Sequence, residues 1–246
     1  MTDTDLIDTK EALSAVLDTL EGLPANPPSL YIDLEGVNLG RHGSISIFQL
    51  YVLPTSQTYL IDVQTLGFET FTTPGSHGRT LKDILESKTI PKVVFDVRND
   101  SDALFSHFQI RLQGIQDLQL MELARSTVRK PHVKGLSKCI ERDLELDDNE
   151  VSAWKRIKEK GIRLFAPERG GSFEVFNARP LSDEIRLYCS YDVQFLPRLW
   201  AYYDRKLAPG LRDSVESATK DRVALSQATD YNGKGKHMAL APDIWS

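Results

Sequence analysis

The sequence contains few of the residues that characterise several common classes of protein. Its 246 residues include only two cysteines, Cys139 and Cys189, which are too few for a disulfide framework or a cysteine-based zinc site. No apolar run approaches the roughly 18–20 residues that a membrane span needs, and the acidic first residues differ from the basic start of a signal or transit peptide. We therefore expect a chain that works in the cytoplasm or nucleus, away from membranes.

Positive charge is also scarce. The 30 lysines and arginines are outnumbered by 35 aspartates and glutamates, which leaves a formal net charge of −5. This balance excludes a protein that binds nucleic acid through an overall positive charge, but it permits a local basic strip or bound metal ions that meet a polyanion. The signatures of nucleotide-binding loops, nucleophile elbows and zinc-binding helices are missing as well.

The hydrophobic pattern divides the chain into three parts. An amphipathic helix and a proline-containing linker occupy 1–26, the main domain covers 27–208, and a C-terminal helix with a polar, frayed tail covers 209–246. The hydrophobic content of 41% is enough for a sizeable core in a chain of this length.

The main domain begins with strands and continues with helices and strands in alternation. Segments 29–36, 45–53 and 57–66 have the character of strands and are joined by short turns, which predicts an antiparallel meander. Helical and buried-strand segments follow, and a long helix that Pro197 kinks begins after the N-capping Ser182. This order predicts an α/β fold, in which a mixed sheet (an antiparallel meander and then parallel strands) is flanked by helices.

Two acidic residues interrupt the first of these strands. Asp33 and Glu35 are two positions apart, so their side chains point to the same face of the strand. Adjacent carboxylates repel each other and are costly to desolvate unless a cation lies between them. The pair therefore indicates a cation site, whereas the alternative is a strand end whose acids point into water.

Further acidic residues lie in two predicted helices. Tyr188 and Asp192 are one helical turn apart and share a face, next to apolar residues. Asp100 comes shortly after a buried strand and begins the next helix, in which Asp102 also lies. Taken singly, these residues are explained equally well as a surface Tyr–Asp pair and as acids that favour the positive end of a helix.

Taken together, the ordered motifs resemble the DEDD-type 3′–5′ exonucleases. The likeness is to the tyrosine-containing branch, which includes ribonuclease D, the Werner-syndrome exonuclease domain and Egalitarian-like proteins. It extends over about residues 27–206 and includes the segments ISIFQLYV, YLID, IQDLQLMELA, GLSKCIE and RPLSDEIRLYCSYDVQFL. The resemblance implies a ribonuclease-H-like fold, which agrees with the mixed sheet predicted above.

The resemblance also implies roles for the acidic residues. In this family four carboxylates hold two Mg²⁺ or Mn²⁺ ions and a tyrosine orients the attacking water. Hard cations prefer oxygen ligands, and two ions can activate the water and neutralise the leaving oxygen. Asp102 is the alternative for the second motif if the register shifts by two residues. The matching residues, in motif order, are Asp33, Glu35, Asp100, Tyr188 and Asp192.

Two segments are candidates for contact with the substrate. In the glycine-rich loop after Glu35, Leu39 is predicted to stack on a base, and Arg41 or His42 to reach a phosphate; the alternative is a flexible hairpin tip. A basic strip later in the chain is predicted to follow a single-stranded backbone, although a plain solvated face would look the same. The candidate residues of this strip are Arg129, Lys130 and Lys134.

These observations lead to one main functional hypothesis and two alternatives. The main hypothesis is a metal-dependent exonuclease that releases nucleoside 5′-monophosphates from the 3′ end of single-stranded RNA or DNA. The alternatives are a catalytically silent nucleic-acid-binding or adaptor protein on the same fold, and a metal-binding domain that acts on a free nucleotide. The choice between RNA and DNA stays open because it depends on contacts to the 2′-hydroxyl. The oligomeric state is open too.

Overall fold

A mixed sheet forms the centre of the computed structural model, which describes residues 4–126 and 130–245. Within these residues the sheet has six strands in the order β1-β4-β3-β2-β5-β6. The strands β2, β3 and β4 pair antiparallel, whereas β1 is parallel to β4, and β5 and β6 continue parallel to β2. The predicted fold class is confirmed. The strands are β1 (Thr4–Ile7), β2 (Leu30–Glu35), β3 (Ile47–Val52), β4 (Gln57–Asp62), β5 (Lys92–Val94) and β6 (Ile115–Asp117).

Helices cover both faces of this sheet. None of the described helices is both long and apolar enough to cross a membrane. They are α1 (Lys10–Thr19), α2 (Val63–Leu66), α3 (Glu69–Thr72), α4 (Leu81–Glu86), α5 (Arg98–Phe108), α6 (Leu118–Ala124), α7 (Leu136–Asp143), α8 (Asp148–Phe165), α9 (Asp183–Gln194), α10 (Leu196–Lys206) and α11 (Pro209–Ser226).

Strand β2 shows how the sheet separates two hydrophobic layers. Ile32 and Leu34 belong to the core that β2 shares with α1, α4 and α5. Tyr31 lies on the opposite face, in the core formed with α6, α7, α10 and α11. Because side chains alternate along a strand, Asp33 and Glu35 share the face of Tyr31. Helix α9 packs across β2, β3 and β4, so it lies over the face of the sheet that carries these two acidic side chains.

The helix predicted to run from Ser182 to about Leu207 is divided in the structure. Helix α9 ends at Gln194, and α10 begins at Leu196 with Pro197 in its first turn. Proline lacks an N–H group and fits the first turn of a helix, so the sequence breaks the helix instead of kinking it.

The parts predicted as terminal extensions pack onto the main fold. Strand β1, which the hydrophobic pattern did not indicate, joins the sheet beside β4, and Leu13 and Leu17 of α1 are buried in the core. The tail predicted to be frayed instead forms backbone hydrogen bonds from Val133 to Ala239 (2.9 Å) and from Ala241 to Pro131 (3.0 Å). Backbone groups of any residue can form such bonds, so composition alone did not reveal this packing.

Candidate active site

The first two acidic residues of the site lie at the carboxyl end of β2. This strand pairs with β3 as far as Glu35, but it pairs with β5 only at Leu30 and Tyr31. Asp33 and Glu35 therefore extend past the end of the short strand β5. In open α/β sheets, ligands bind beyond the carboxyl ends of the strands, which is where this pair lies.

Helix α9 brings a third carboxylate to the same place. Ser182 caps the helix by accepting a hydrogen bond from the backbone N–H of Ile185, and the buried Ile185 fixes the helix against the sheet. Asp192 is thereby directed toward β2. One carboxylate oxygen from each of Asp33, Glu35 and Asp192 lies within 4.8 Å of the others. We call these three residues the acidic site. Three oxygen donors at this spacing fit a hard divalent cation such as Mg²⁺ or Mn²⁺.

The acidic site has strongly perturbed proton affinities. Burial, and then the charge of Asp192, raise the pKa of Asp33 to about 7. Burial and the charge of Asp33 also raise the pKa of Glu35 well above its usual value. Both shifts arise because negative charge is concentrated away from water. A cation bound among these groups would relieve the repulsion.

Lys158 of α8 supplies such a cation from the chain itself. Its ammonium Nζ donates to both oxygens of Asp192, at 2.7 and 2.8 Å, and to the phenol oxygen of Tyr188 at 3.1 Å. The side chain is only 18% exposed. Although burial opposes its charge, the neighbouring Asp192 holds the pKa of Lys158 above its usual value. The sequence does not indicate a role for Lys158, because nothing distinguishes it from the other charged residues of α8.

Tyr188 packs against helix α8, where Lys158 and Gly161 both contact its ring. The Lys158 ammonium lies 4.3 Å from the centre of the phenol ring. A Cβ atom on Gly161 would lie 2.3 Å from Cδ2 of that ring, so glycine permits the close approach of α8. Burial, and then the charge of Asp192, raise the pKa of Tyr188 well above its usual value. The phenol therefore stays protonated near neutral pH.

The candidates for the second motif, Asp100 and Asp102, have different surroundings. The side chain of Asp102 accepts hydrogen bonds from the backbone N–H and from Nε of Arg41, at 2.8 and 2.7 Å. The carboxylate of Asp100 forms no hydrogen bond with the described residues, and it is not among the three oxygens within 4.8 Å of one another. Burial, and then the charge of Asp33, raise its pKa. Asp100 is thus the candidate that interacts with the acidic site.

In the loop after β2, Arg41 does not have the phosphate-binding role predicted for it. The guanidinium donates to Asp102 and to the main-chain oxygens of Ser226, Ala228 and Thr229. These contacts use four of its five N–H groups within the described part of the chain, so the structure does not present Arg41 to a phosphate. Leu39 packs against the hydrophobic core, and His42 is exposed.

The basic strip is likewise engaged within the protein. Lys130 and Lys134 donate to the same oxygen of the fully buried Glu122, at 3.1 and 3.0 Å. Arg142 donates to that oxygen as well, at 2.7 Å. The strip predicted to be a solvated or substrate-binding face is therefore an ion-pair cluster around a buried carboxylate. Arg129, the remaining candidate, lies outside the described residues.

A second residue that the sequence analysis missed is Gln49. It pairs with Asp33 across the β2–β3 ladder, so the two side chains are neighbours on one face of the sheet. Gln49 is fully buried, and neither its amide nitrogen nor its amide oxygen has a partner within the described residues. Buried amide groups without partners are rare in folded proteins. Gln49 therefore lies unpaired next to the acidic site.

The mixed six-stranded sheet with its flanking helices is a ribonuclease-H-like fold, and the acidic site lies at the carboxyl end of its strand β2. A family model described as 3′–5′ exonuclease matches residues 5–208, and the chain belongs to this family. The predicted family resemblance is thereby confirmed.

Solved structures show the same fold. Trypanosoma brucei RNase D in its GMP complex aligns with a TM-score of 0.77 and 20% identity, over 99% of this chain and 70% of that chain. Escherichia coli RNase D aligns with a TM-score of 0.64 and 19% identity, over 93% of this chain and 52% of that chain. Brucella melitensis NrnC with bound Mg²⁺ aligns with a TM-score of 0.58 and 18% identity, over 95% and 100% of the two chains. At these identities, the likeness establishes the fold alone.

Curated relatives match a shorter region. The piRNA biogenesis protein EXD1 of Bombyx mori is 30% identical over 122 residues, which are 48% of this chain and 36% of that protein. EXD1 of Mus musculus is 35% identical over 94 residues, or 38% of this chain and 15% of that protein. The match thus covers well under half of either relative.

Proposed function

We infer that this chain is a metal-dependent 3′–5′ exonuclease that releases nucleoside 5′-monophosphates from the 3′ end of single-stranded RNA or DNA. The observation that carries this proposal is the acidic site, because β2 and α9 bring Asp33, Glu35 and Asp192 within 4.8 Å of one another. Asp192 is far in sequence from the Asp33–Glu35 pair, and a surface role for these acids would not require their convergence.

The residues have separable roles in this proposal. Asp33, Glu35 and Asp192 hold divalent cations, and Asp100 contributes from the start of α5. Bound Mg²⁺ or Mn²⁺ ions supply an activated water and neutralise charge on the leaving 3′ oxygen. Tyr188 orients the water as a hydrogen-bond donor and does not act as a base, because its raised pKa keeps the phenol protonated. Lys158 donates to the phenol oxygen, and the phenol also forms a side-chain hydrogen bond with Glu35 of the acidic site.

The choice of substrate is supported by the relatives. Trypanosoma brucei RNase D has been solved with RNA U12 and shares the fold with a TM-score of 0.73. We propose a single-stranded substrate for this chain because a scissile phosphate must enter a site enclosed by α8 and α9, which one strand can do more readily than a duplex.

A second function is favoured by one observation at the same site. The Lys158 ammonium contacts both oxygens of Asp192, and thereby neutralises part of the acidic site without a metal ion. A protein that binds nucleic acid on this fold without cleaving it would need such an internal cation. This adaptor function is the outcome that competes with hydrolysis in the experiment below.

The experiment follows the length of a 5′-labelled oligonucleotide, as RNA and as DNA, incubated with the purified chain and Mn²⁺. The exonuclease proposal predicts a ladder shortened from the 3′ end that disappears with EDTA and in Asp192→Asn. The matched control is Asp183→Asn, at the exposed start of the same helix, which should retain the ladder. Binding of the oligonucleotide without shortening at any Mn²⁺ concentration would contradict the proposal and support the adaptor function.

A further inference from the structure

The C-terminal segment, residues 209–245, lies outside the part of the chain that the family model matches, which ends at residue 208. It consists of α11 and a following stretch with a short 3-10 turn at Lys236–Ala239. Helix α11 packs against α5, α6 and β6. Since α5 carries Asp100, the segment contacts the element that holds the second acidic motif.

The C-terminal segment contacts the residues that precede and follow Asp100 in the sequence. On the N-terminal side, Arg98 donates to the main-chain oxygen of Met238 at 2.8 Å, and the Tyr231 hydroxyl donates to Oδ1 of Asn99 at 3.1 Å. A Cβ atom on Gly233 would lie 2.3 Å from that same oxygen, so the tail passes very close to Asn99. On the C-terminal side, Gln227 donates to the Ser101 hydroxyl at 3.4 Å.

Arg41 extends these contacts to Asp102, the remaining neighbour. Its Nε donates to Asp102 at 2.7 Å, while Nη1 and Nη2 donate to the main-chain oxygens of Thr229, Ser226 and Ala228 at 2.8, 2.9 and 2.7 Å. The last carbonyl groups of a helix lack partners within the helix, and Arg41 provides partners at the end of α11. One guanidinium thus connects the loop after β2, helix α5 and the C-terminal segment.

Arg222 of α11 fixes the turn that precedes α5. Its Nη1 donates to Asp117 at 2.7 Å and approaches Asp96 at 3.5 Å. The Asp117 carboxylate also accepts the backbone N–H groups of Asp96 and Val97, at 3.0 and 3.2 Å. Asp96 has a φ of 66°, which is unfavourable for a residue with a side chain, so these contacts hold a strained turn in place.

Asp100 itself has no such support. Its carboxylate forms no hydrogen bond with the described residues, and the negative charges of Asp33 and Asp96 act on it. Its position must therefore follow from the backbone of α5, which the surrounding contacts hold. We propose that the C-terminal segment positions Asp100 for metal binding, with Arg41 and Tyr231 as positioning residues. This inference rests on the proposed function of the acidic site.

The test measures Mn²⁺ binding directly by calorimetry, and the Mn²⁺ concentration that gives half-maximal cleavage. Arg41→Lys keeps a charge near Asp102 but cannot reach the carbonyl groups of α11. We expect it to weaken Mn²⁺ binding roughly tenfold, as is typical when support for a metal ligand is lost, with the KM for the oligonucleotide unchanged. Tyr231→Phe removes the hydrogen bond to Asn99 and a long one to the Met238 sulfur, and should weaken Mn²⁺ binding roughly two- to threefold.

Lys220→Ala is the matched control, because Lys220 is on the exposed face of α11 and contacts only Glu216 among the described residues. It should bind Mn²⁺ like the wild type. Unchanged Mn²⁺ binding in Tyr231→Phe and Arg41→Lys would overturn the inference, as would a change confined to the KM for the oligonucleotide. If Arg41→Lys does not fold, Tyr231→Phe decides alone. Because calorimetry needs no turnover, the inference can hold even if the chain proves unable to cleave nucleic acid.

Discussion

Replacement of Lys158 by methionine tests whether the ammonium acts as the internal cation of the acidic site. Methionine keeps most of the length and apolar surface of lysine but removes the charge and the three contacts to Asp192 and Tyr188. The Asp192 side chain is 4% exposed, so the variant leaves a buried carboxylate without its cationic partner. The change therefore affects the electrostatics of the site far more than its packing.

The expected loss of stability in Lys158→Met follows from the burial of the ion pair between Lys158 and Asp192. Removal of one partner from a buried ion pair costs about 3–5 kcal/mol, and we expect the lower end because the Lys158 side chain is 18% exposed. A loss of about 3 kcal/mol lowers the melting temperature by roughly 6–12 °C for a chain of this size. Excess Mn²⁺ should restore part of this loss, since a bound cation stabilises the folded state.

The assay is thermal unfolding of wild type and Lys158→Met, each in EDTA and in Mn²⁺. Lys155→Met on the same helix is the control, because its ion pair with Glu141 is exposed on both sides, and it should melt like the wild type. The reasoning is refuted if Lys158→Met is as stable as the wild type in EDTA. It is also refuted if Mn²⁺ stabilises the variant no more than the wild type.

Two further predictions concern the surroundings of the site. Gly161→Ala should destabilise the fold by about 1–2 kcal/mol and impair cleavage, because the new Cβ would overlap the Tyr188 ring and this overpacking outweighs the gain in helix propensity. The control Gly210→Ala has open space around the new Cβ and should not destabilise the fold. Denaturant titration of both variants measures the difference. The folded-state pKa of Asp33 is raised from 3.8 to about 7, so its contribution to stability is present below about pH 4 and is lost as the pH rises through 7. In EDTA, the free energy of unfolding should thus fall between about pH 4 and about pH 7, and fall less in Asp33→Asn. Equal slopes for the two proteins would contradict the assignment.

The meander and the helix-borne motif could be predicted because both depend on local periodicity. The alternation of Ile32, Asp33, Leu34 and Glu35 places the two acids on one face whatever the rest of the chain does. The one-turn spacing of Tyr188 and Asp192 has the same property in a helix. The proximity of these residues in space depends on the tertiary fold. The family resemblance implied it, whereas the residues alone did not.

Features that depend on distant partners could not be predicted. Lys158 is thirty residues from Tyr188, and its sequence neighbours include several similar lysines and arginines. Lys130 and Lys134 looked like a free basic strip because the sequence does not show that Glu122 is buried beneath them. Strand β1 is short and partly polar, and it becomes a strand only because the edge of β4 offers it a parallel partner.

The four carboxylates assigned to the site lie on elements that differ in how firmly they are held in the fold. Asp33 and Glu35 belong to a strand that pairs with β3 along its whole length and with β5 at its start, whereas Asp100 and Asp192 lie on helices that pack on the sheet through side chains. Proteins open in cooperative units that need less energy than global unfolding, and detachment of a helix from the sheet is such an event. Detachment of α5 or α9 would separate the carboxylates before the sheet unfolds. We therefore expect mild heat or denaturant to abolish the proposed metal binding while the sheet is still intact.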